Sequence, residues 1–461
     1  MRYLPNSDSD RAQMLRTIGK GSINELFEQI PADLQISGAL RLPGPLSEPE
    51  LMEFFEEASK DSARDYVSLL GAGAYSHYRP VVIDSLMLRG EFLTSYTPYQ
   101  AEISQGNLQA TFEFQTLIAQ LTGMEVANSS LYDGSTATNE AVLMAMRLTR
   151  RERVVFARSV HPEYRQVTET YAQHQGVAIE EAPYAGQGQV DLAALEAAVN
   201  GKTAAVVVQS PNFFGVLEKW PEIAAVAHRQ GALLIAVVSE PLSLALVKPP
   251  SEADIVCGEA QSFGVPVAFG GPYVGFLATR EQFIRQMPGR LVGETRDTEG
   301  RRGYVLTLAT REQHIRREKA TSNICTSQSL MALNATIYMC LLGKTGLRQL
   351  AAQNLAKARY AAAELGKVHG ASTPFAAPHF NEFVVKAPGD AEELLAALRE
   401  EKIIGGLHLE RFYPELKNHL LVCVTEMVPR TALDRMVEVW RQLAQPASEH
   451  DTREAVAVSN R

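Results

Sequence analysis

The sequence predicts an α/β protein whose large domain is built on a mostly parallel sheet and is followed by a smaller α+β domain. Between residues 154 and 257, short β-branched runs alternate with helical runs. This strand–helix–strand spacing is typical of right-handed crossovers between parallel strands. The chain also has 461 residues, more than a single small core requires. Both observations favour a large sheet domain with a second, smaller domain attached.

The individual elements follow from these patterns. The predicted strands of the sheet are Val154–Phe156, Val177–Glu180, Ala204–Val208, Leu233–Val238 and Asp254–Cys257. The helices predicted before and between them are Asn107–Leu121, Thr136–Leu148, Glu163–His174, Leu192–Val199 and Pro221–Gln230. A helix pair and a closing α+β segment come after, at Ser329–Leu342, Leu347–Val368, Glu382–Lys386, Ala391–Glu401, Leu420–Glu426 and Ala432–Leu443.

Four regions are predicted along the chain. Residues 1–65 form an N-terminal arm with a Pro/Gly-rich break at 42–45, and residues 66–330 form the large domain. Residues 331–445 form a helical linker and the small C-terminal domain, and the polar tail 446–461 is predicted to be disordered.

Composition and charge exclude several classes of function. The chain is 46% hydrophobic and 21% charged with a net charge of -9, so it lacks the basic balance that nucleic-acid binding needs. Its four cysteines form no CxxC pair, which argues against a zinc pattern or a disulfide framework. No secretory signal is visible, and the apolar run Leu330–Leu342 is too short for a bilayer and contains Asn334. We expect a cytoplasmic protein with no nucleic-acid or membrane partner.

Two glycine-containing segments are candidates for ligand binding. Asp133–Thr138 opens an amphipathic helix, and the free N–H groups of a helix start can bind an anion such as phosphate. Simple N-capping is the alternative. Ala260–Pro266, with Gly270–Pro272 after it, follows a predicted strand, so its backbone could approach a ligand closely. A plain strand-to-strand loop is the alternative for this segment.

Three further candidates carry aromatic, hydroxyl or basic side chains. Thr94–Gln100 contains tyrosine hydroxyls suited to a small polar ligand, although the rings could equally serve packing. Arg316–Thr326 could bind a phosphate or carboxylate, or could be a solvated charge run. His161 follows the strand Val154–Phe156 and could be an ordinary loop histidine. The sequence contains no HExxH, GxSxG or Walker pattern.

Taken together and in this order, these segments resemble one family. The matching stretches are Tyr96–Gly106, Phe263–Pro266 with Gly270–Pro272, Arg317–Thr326 and the opening Met1–Pro5. They resemble the P-protein of the glycine cleavage system, glycine dehydrogenase (decarboxylating), and within it the alpha-type chains called subunit 1. The resemblance covers nearly the whole chain apart from its tail. It implies the aspartate-aminotransferase type (fold type I) of pyridoxal-phosphate fold, with the cofactor at a dimer interface.

Such a cofactor site needs a Schiff-base lysine, an acid facing the pyridine nitrogen, a phosphate cradle and a stacking group. The resemblance places Gln261 at the lysine position and Ser239 at the acid position. An amide cannot form an imine, and the neighbouring Glu240 should point to the other face of its strand. No catalytic residue is therefore expected within this chain. A vestigial cofactor site would consist of Gly134, Ser135, Thr136 and His161.

The resemblance also implies a partner. A second chain, subunit 2, would hold pyridoxal phosphate covalently, with two copies of each chain in the assembly. Across the interface, Tyr96, Tyr99 and Gln100 would lie near the glycine carboxylate or the entry channel. Thr321, Ser322 and Asn323 would approach the partner's cofactor phosphate. The implied reaction decarboxylates glycine and transfers the aminomethyl group to the lipoyl arm of the H-protein.

Two alternatives stay open at this point. The chain could be a self-sufficient pyridoxal-phosphate enzyme that uses another lysine, for which Lys248 and Lys319 are the candidates. It could instead be a non-catalytic scaffold or regulatory protein that has kept the fold. The first alternative predicts a cofactor bound covalently by the chain alone. The second predicts that substitution of Tyr96 or Asn323 leaves the partner's turnover unchanged.

Overall fold

The computed structural model describes residues 5–36, 38, 40–268, 270–311, 313–322, 324 and 327–444. The chain divides into two compact units, Met1–Arg64 and Asp65–Arg461. In the first unit, helix α1 spans Asp8–Thr17 and helix α2 spans Glu48–Ser59, and neither helix buries a side chain. The sequence boundary predicted between the large and small domains at residues 330 and 331 stays a prediction.

The second unit contains the remaining helices and strands of the described residues. Its strands are β1 (Val67–Ser68), β2 (Val126–Ala127), β3 (Arg153–Ala157), β4 (Ala178–Ala182), β5 (Thr203–Gln209), β6 (Leu233–Val238), β7 (Ile255–Glu259), β8 (Gly275–Thr279), β9 (Leu291–Arg296), β10 (Arg302–Thr307), β11 (Glu382–Lys386), β12 (Ile403–Ile404), β13 (Leu407–His408) and β14 (His419–Cys423). Its helices are α3 (Val82–Met87), α4 (Gly90–Leu93), α5 (Gln105–Thr122), α6 (Gly134–Thr149), α7 (Pro162–Ala172), α8 (Leu192–Ala198), α9 (Trp220–Arg229), α10 (Gln313–Arg316), α11 (Ser329–Leu365), α12 (Ala391–Glu400) and α13 (Arg430–Ala444).

The central sheet has the strand order β2-β8-β7-β6-β5-β3-β4. Strands β3 to β7 pair in parallel, whereas β8 runs antiparallel to both of its neighbours. Every residue of β5 is buried, as expected for a central strand covered on both faces. The predicted mostly parallel sheet is therefore present. Strand β8 and the β9–β10 hairpin were absent from the sequence prediction.

The C-terminal part of the second unit has its own apolar core. Strands β11, β14 and β13 form a small antiparallel sheet, on which α12 and α13 pack with Leu398 and Trp440 fully buried. The predicted strand Leu420–Glu426 is shorter in the structure and ends at Cys423. The remaining predicted elements of this region differ by only a few residues at their ends.

Helix α11 connects the two cores. Its first half buries Ala332, Ala335 and Tyr338 in the large core, and its second half contributes to the small one. The helix is kinked at Gly343, whose φ of +56° is a left-handed conformation that favours glycine. The kink explains why the sequence pattern predicts two helices here.

Helix α11 is also longer than the apolar run that the sequence analysis considered. In the part of the chain that the structure describes, it is the one helix long and apolar enough to cross a membrane, judged by length and composition alone. The expectation that this segment is too short is wrong, because the helix continues past Leu342. Core helices of globular domains pass the same test, and here Ala335 and Tyr338 pack into the large core.

Candidate functional site

The candidate site lies at the carboxyl edge of the parallel strands, where ligands commonly bind in α/β sheets. Strands β3 and β7 end there, and helix α6 begins beside them. A cavity of about 430 Å³ opens at this edge. Side chains that line it include Tyr132, Asp133, His161, Tyr164, Glu259 and Tyr273.

The carboxylate of Glu259 accepts a hydrogen bond from the backbone N–H at the start of α6. Glu259, the last residue of β7, accepts hydrogen bonds from the N–H groups of Gly134 at 2.9 Å, Gln261 at 3.0 Å and Val274 at 2.9 Å. Burial raises the pKa of the Glu259 carboxyl to about 7, although the bonds from the amides of Val274 and Gly134 act in the opposite direction. The carboxyl group is thus held by amide donors contributed from three places in the chain.

The predicted phosphate cradle, Gly134, Ser135 and Thr136, forms the first turn of α6. Asp133 caps this helix, since its Oδ1 accepts from the Thr136 N–H at 2.8 Å and from the Ser135 hydroxyl at 2.5 Å. The Thr136 hydroxyl donates to the other oxygen of Asp133 at 3.2 Å. Within this chain the segment therefore has the N-capping role that the sequence analysis held as an alternative.

His161, the predicted stacking residue, already has ring partners. Its imidazole stacks on Tyr164 with ring centroids 4.7 Å apart and meets Phe213 edge-on. Its Nδ1 accepts from the Glu163 N–H at 3.2 Å, so its Nε2 carries the proton and donates to the Ala72 carbonyl at 2.8 Å. Burial lowers the pKa of His161, which agrees with this neutral form.

Gln261, which the resemblance places at the lysine position, is fully engaged in hydrogen bonds. Its carbonyl accepts from the Tyr75 N–H at 2.8 Å. Its amide nitrogen donates to the carbonyls of Tyr75 at 2.9 Å and Val265 at 2.6 Å. The side chain is buried and fixes Tyr75 to the turn after β7.

Ser239 and Glu240 follow β6 and face different neighbours. The hydroxyl of Ser239, the residue that the resemblance places at the position of the acid, accepts a hydrogen bond from the Gln209 amide at 3.0 Å. The Glu240 carboxylate instead accepts from the His77 ring at 2.9 Å and from Asn381 at 3.1 Å. It is not among the residues that line the cavity.

These residues do not fit pyridoxal phosphate. Gln261 cannot form an imine with the aldehyde, and Ser239 offers no charge to the pyridine nitrogen. Glu259 already bonds the amide at the start of α6, and Tyr164 already covers a face of His161. The described residues that line the cavity include no lysine.

The two lysines proposed for a self-sufficient enzyme lie elsewhere. Lys248 pairs with Glu252 at 3.0 Å on the surface, and Lys319 is exposed in a short helical turn. Neither lines the cavity. Across the residues that the structure covers, no group of three or more His, Cys, Asp or Glu side chains is arranged to hold a metal ion.

A buried charged cluster, which sequence reasoning did not identify, is centred on His77, two residues after the Gln261 partner Tyr75. The His77 side chain is only 1% exposed and is hydrogen-bonded at 2.9 Å to each of two carboxylates, Glu240 and Glu426. Burial alone would lower the pKa of His77, but the charge of Glu240 and the bonds to both carboxylates raise it to about 10. The cluster joins the segment from Ala72 to Arg79, here called the 72–79 segment, to both the large sheet and the small domain.

No short-range signal in the sequence identifies the His77 cluster, because its three members are far apart along the chain. Glu259 did carry a signal. A glutamate at the end of an otherwise apolar buried strand is rare unless its carboxylate has a specific partner. The residue directly precedes the Ala260–Pro266 segment that the sequence analysis selected.

The residues predicted to reach the partner fall into two groups. Tyr96 and Tyr99 are 75% and 72% exposed, and Gln100 is also exposed. The Arg290 guanidinium lies over the Tyr99 ring, 5.8 Å from its centroid. These three predicted residues share one short stretch of surface.

In the second group, Thr321 and Ser322 form hydrogen bonds within the chain. The Ser322 hydroxyl donates to Glu140 at 2.8 Å, and the Thr321 N–H donates to the Arg311 carbonyl at 3.1 Å. Burial raises the pKa of Glu140, while the bond from Ser322 opposes this. Asn323, the third predicted residue, lies outside the described residues.

Comparison with known proteins gives consistent matches. The sequence profile of the family "Glycine cleavage system P-protein" matches residues 1–440. A "Probable glycine dehydrogenase (decarboxylating) subunit 1" from Koribacter versatilis is 57% identical over 436 residues, covering 94% of this chain and 98% of its relative.

Solved structures agree with these matches. A crystal structure of glycine decarboxylase (P-protein) of the glycine cleavage system, in inhibitor-bound form, is 43% identical, with a TM-score of 0.86. The match covers 96% of this chain and 100% of that one. Glutamate decarboxylase from Lactobacillus brevis is only 13% identical but has a TM-score of 0.68 over 92% of this chain and 96% of its own, which shows the fold alone. The predicted fold type I architecture is confirmed.

Proposed function

We propose, from the premise that the chain belongs to the glycine cleavage system P-protein family, that it is the half of a two-chain glycine dehydrogenase that does not carry the cofactor. Membership of the family makes the chain a subunit of an enzyme that decarboxylates glycine. The division of labour within the assembly is the proposal. The observation that carries it is Gln261, which replaces the imine-forming lysine and is bonded into the fold by three hydrogen bonds.

In this proposal the second subunit binds pyridoxal phosphate covalently and performs the decarboxylation. The aminomethyl group then passes to the lipoyl arm of the H-protein. The cofactor would supply the electron sink for that reaction. This chain would complete the partner's site from across the interface, as subunits of symmetric oligomers commonly do. Two copies of each chain and a cytoplasmic location belong to the same proposal.

The surface that would meet the partner is the stretch from Leu88 to Ile103, here called the 88–103 stretch. Leu88, Leu93 and Ile103 are exposed large apolar side chains, and Ile103 is 80% exposed. Tyr96 and Tyr99 add aromatic rings with hydroxyl tips, a residue type enriched at protein interfaces. Apolar and aromatic exposure of this extent supports burial against another chain.

Within such an interface, Tyr96, Tyr99 and Gln100 would contact the substrate's carboxylate or the channel that admits it. Their hydroxyl and amide groups can donate hydrogen bonds to an anion. The two rings would also exclude water from the shared cleft, which protects a reactive carbanion from protonation. Thr321 and Ser322, with Asn323, would lie toward the partner's cofactor phosphate.

Reconstitution tests the proposal. The purified chain alone should show no glycine–bicarbonate exchange, and borohydride treatment with pyridoxal phosphate should leave no specifically modified lysine. Addition of the second subunit should restore exchange. A single stoichiometric phosphopyridoxyl-lysine in the isolated chain would contradict the proposal and favour the self-sufficient enzyme. The non-catalytic scaffold is distinguished by Tyr99→Phe and Asn323→Ala, which would then leave the assembled enzyme fully active.

A further inference from the structure

We infer that the Glu259 carboxylate is an internal replacement for a phosphate group, which closes the anion site at the start of α6 to phosphorylated ligands. This inference deepens the proposed function and rests on it, because it explains how a chain with this fold stays free of the cofactor. It concerns a different residue from the missing lysine. It therefore predicts that restoring the lysine alone does not restore the site.

Three backbone N–H groups donate hydrogen bonds to the Glu259 carboxylate. They belong to the first residue of α6, to the turn after β7 and to the residue before β8. Convergent backbone N–H groups at a helix start form the arrangement that binds phosphate in many proteins. Here a carboxylate with two oxygens receives one such donor, from Gly134, together with two converging backbone donors from Gln261 and Val274, at 2.9 to 3.0 Å.

Space around the start of α6 is also restricted. A Cβ atom built on Gly134 would lie 2.3 Å from the Tyr164 hydroxyl and 3.0 Å from the Glu259 Cβ, and both of these side chains are buried. The Glu259 carboxylate already lies 2.9 Å from the Gly134 nitrogen. A phosphate bonded to this amide would therefore have to displace it.

Two acidic side chains lie at the start of α6. Asp133 accepts a hydrogen bond from the Thr136 N–H, and Glu259 accepts one from the Gly134 N–H, both in the first turn. A dianionic phosphate at this position would face both acids in a site where burial weakens screening by water. The helix start thus has its own anions, which are covalently attached and cannot diffuse away.

The inference can be tested with inorganic phosphate as the probe. Glu259→Ala should bind phosphate at least roughly tenfold more tightly than the wild-type chain, because it frees three amide donors and removes a like charge. Glu163→Ala is the matched control, because Glu163 lines the same cavity but, among the described residues, its carboxylate accepts no hydrogen bond from these amides. Calorimetric titration of the full-length chain gives the dissociation constants.

Glu259→Gln keeps the volume without the charge and serves as a second variant if Glu259→Ala does not fold. It should also bind phosphate more tightly than the wild type does. Equal phosphate affinity in the wild type and in a folded Glu259 variant would overturn the inference, as would tighter binding in Glu163→Ala.

Pyridoxal phosphate provides the second readout. Gln261→Lys alone should form no borohydride-reducible imine at position 261, whereas Gln261→Lys combined with Glu259→Ala should form one, visible by absorbance and mass spectrometry. Stoichiometric capture by Gln261→Lys alone would overturn the inference and leave the proposed function intact. Capture by the unmodified chain would instead overturn the proposed function, so the two failures are distinguishable.

Discussion

The 72–79 segment and the 88–103 stretch are separated only by residues 80–87, and both contain tyrosines. In the first, Tyr75 is buried, its N–H donates to Gln261 and its hydroxyl donates to Glu382 at 2.8 Å. In the second, Tyr96 and Tyr99 are about three-quarters exposed. Similar side chains thus have opposite roles: Tyr75 satisfies its polar groups within the chain, whereas Tyr96 and Tyr99 present theirs outward.

This difference separates a region whose polar groups have partners within the chain from a region that is exposed. The cavity at the carboxyl edge of the sheet is lined by groups that already have partners within the chain, including His161 and Glu259. The 88–103 stretch leaves apolar area that burial against another molecule would stabilise. Substitutions in the 72–79 segment should therefore lower the stability of the chain, and substitutions in the 88–103 stretch should weaken assembly with the partner.

The largest expected effect is on the 72–79 segment. His77→Ala should lower the free energy of unfolding by about 3–5 kcal/mol, since it leaves Glu240 and Glu426 buried without their shared cation. Chemical denaturation measures this. Replacement of the exposed His369 by alanine is the control and should change stability by less than about 0.5 kcal/mol. Equal effects of the two substitutions would show that the cluster does not stabilise the fold.

The 88–103 stretch should respond in the opposite way. Ile103→Asp should weaken binding of the second subunit by on the order of 100-fold, because a charge would be buried in an apolar contact, while the melting temperature of the isolated chain stays unchanged. Titration calorimetry measures the binding. Tyr171→Asp, at another exposed apolar residue on α7, should bind normally. Unchanged binding by Ile103→Asp would exclude this stretch from the interface.

The pH dependence of stability sharpens the comparison. The pKa of His77 is raised from 6.5 to about 10 on folding, so its stabilising contribution is complete below pH 6.5 and is lost as pH rises toward 10. Between about pH 7 and 9, the wild type should lose about 2–3 kcal/mol relative to His77→Gln. Denaturation curves at several pH values test this. Parallel curves for the two proteins would show that His77 does not titrate as described.

The smallest expected effect concerns one hydroxyl. Tyr99→Phe should reduce kcat/KM of the assembled enzyme by roughly tenfold, or about 1.4 kcal/mol, through loss of a single hydrogen bond to a charged group. The isolated chain should keep its stability, since the ring is exposed. Tyr171→Phe is the matched control and should leave steady-state kinetics unchanged.

The sequence predicted the sheet well because parallel strands that are buried on both faces leave a strong local signal. Strand β5 is such a case, with a predicted core of Ala204–Val208 inside the observed Thr203–Gln209. The β9–β10 hairpin was missed because its strands carry mixed polar residues, as in Glu294 and Arg296, without clear alternation. Local patterns identify elements whose burial is uniform and fail where only part of a strand is covered.

The candidate site was less predictable from sequence. The identity of Gln261 was available to sequence comparison, but its three hydrogen bonds depend on Tyr75 and Val265, which only the fold brings to it. The same holds for Glu259, whose partners come from three separate segments. A missing catalytic group can be read from one position. The side chains that fill the space of that group can be identified only from the three-dimensional structure.

The two N-terminal helices have a practical consequence for protein engineering. Ser7 and Asp10 form a reciprocal cap at the start of α1, and the Ser47 N–H and hydroxyl both donate to Glu50 at the start of α2. Isolated helices shorter than about 12–15 residues are marginal in water, and a good cap adds about 1 kcal/mol. Neither helix buries a side chain, so these serines define where each one begins. A truncation or fusion joined directly to Asp8 or Glu48 would remove that starting signal together with the residues deleted.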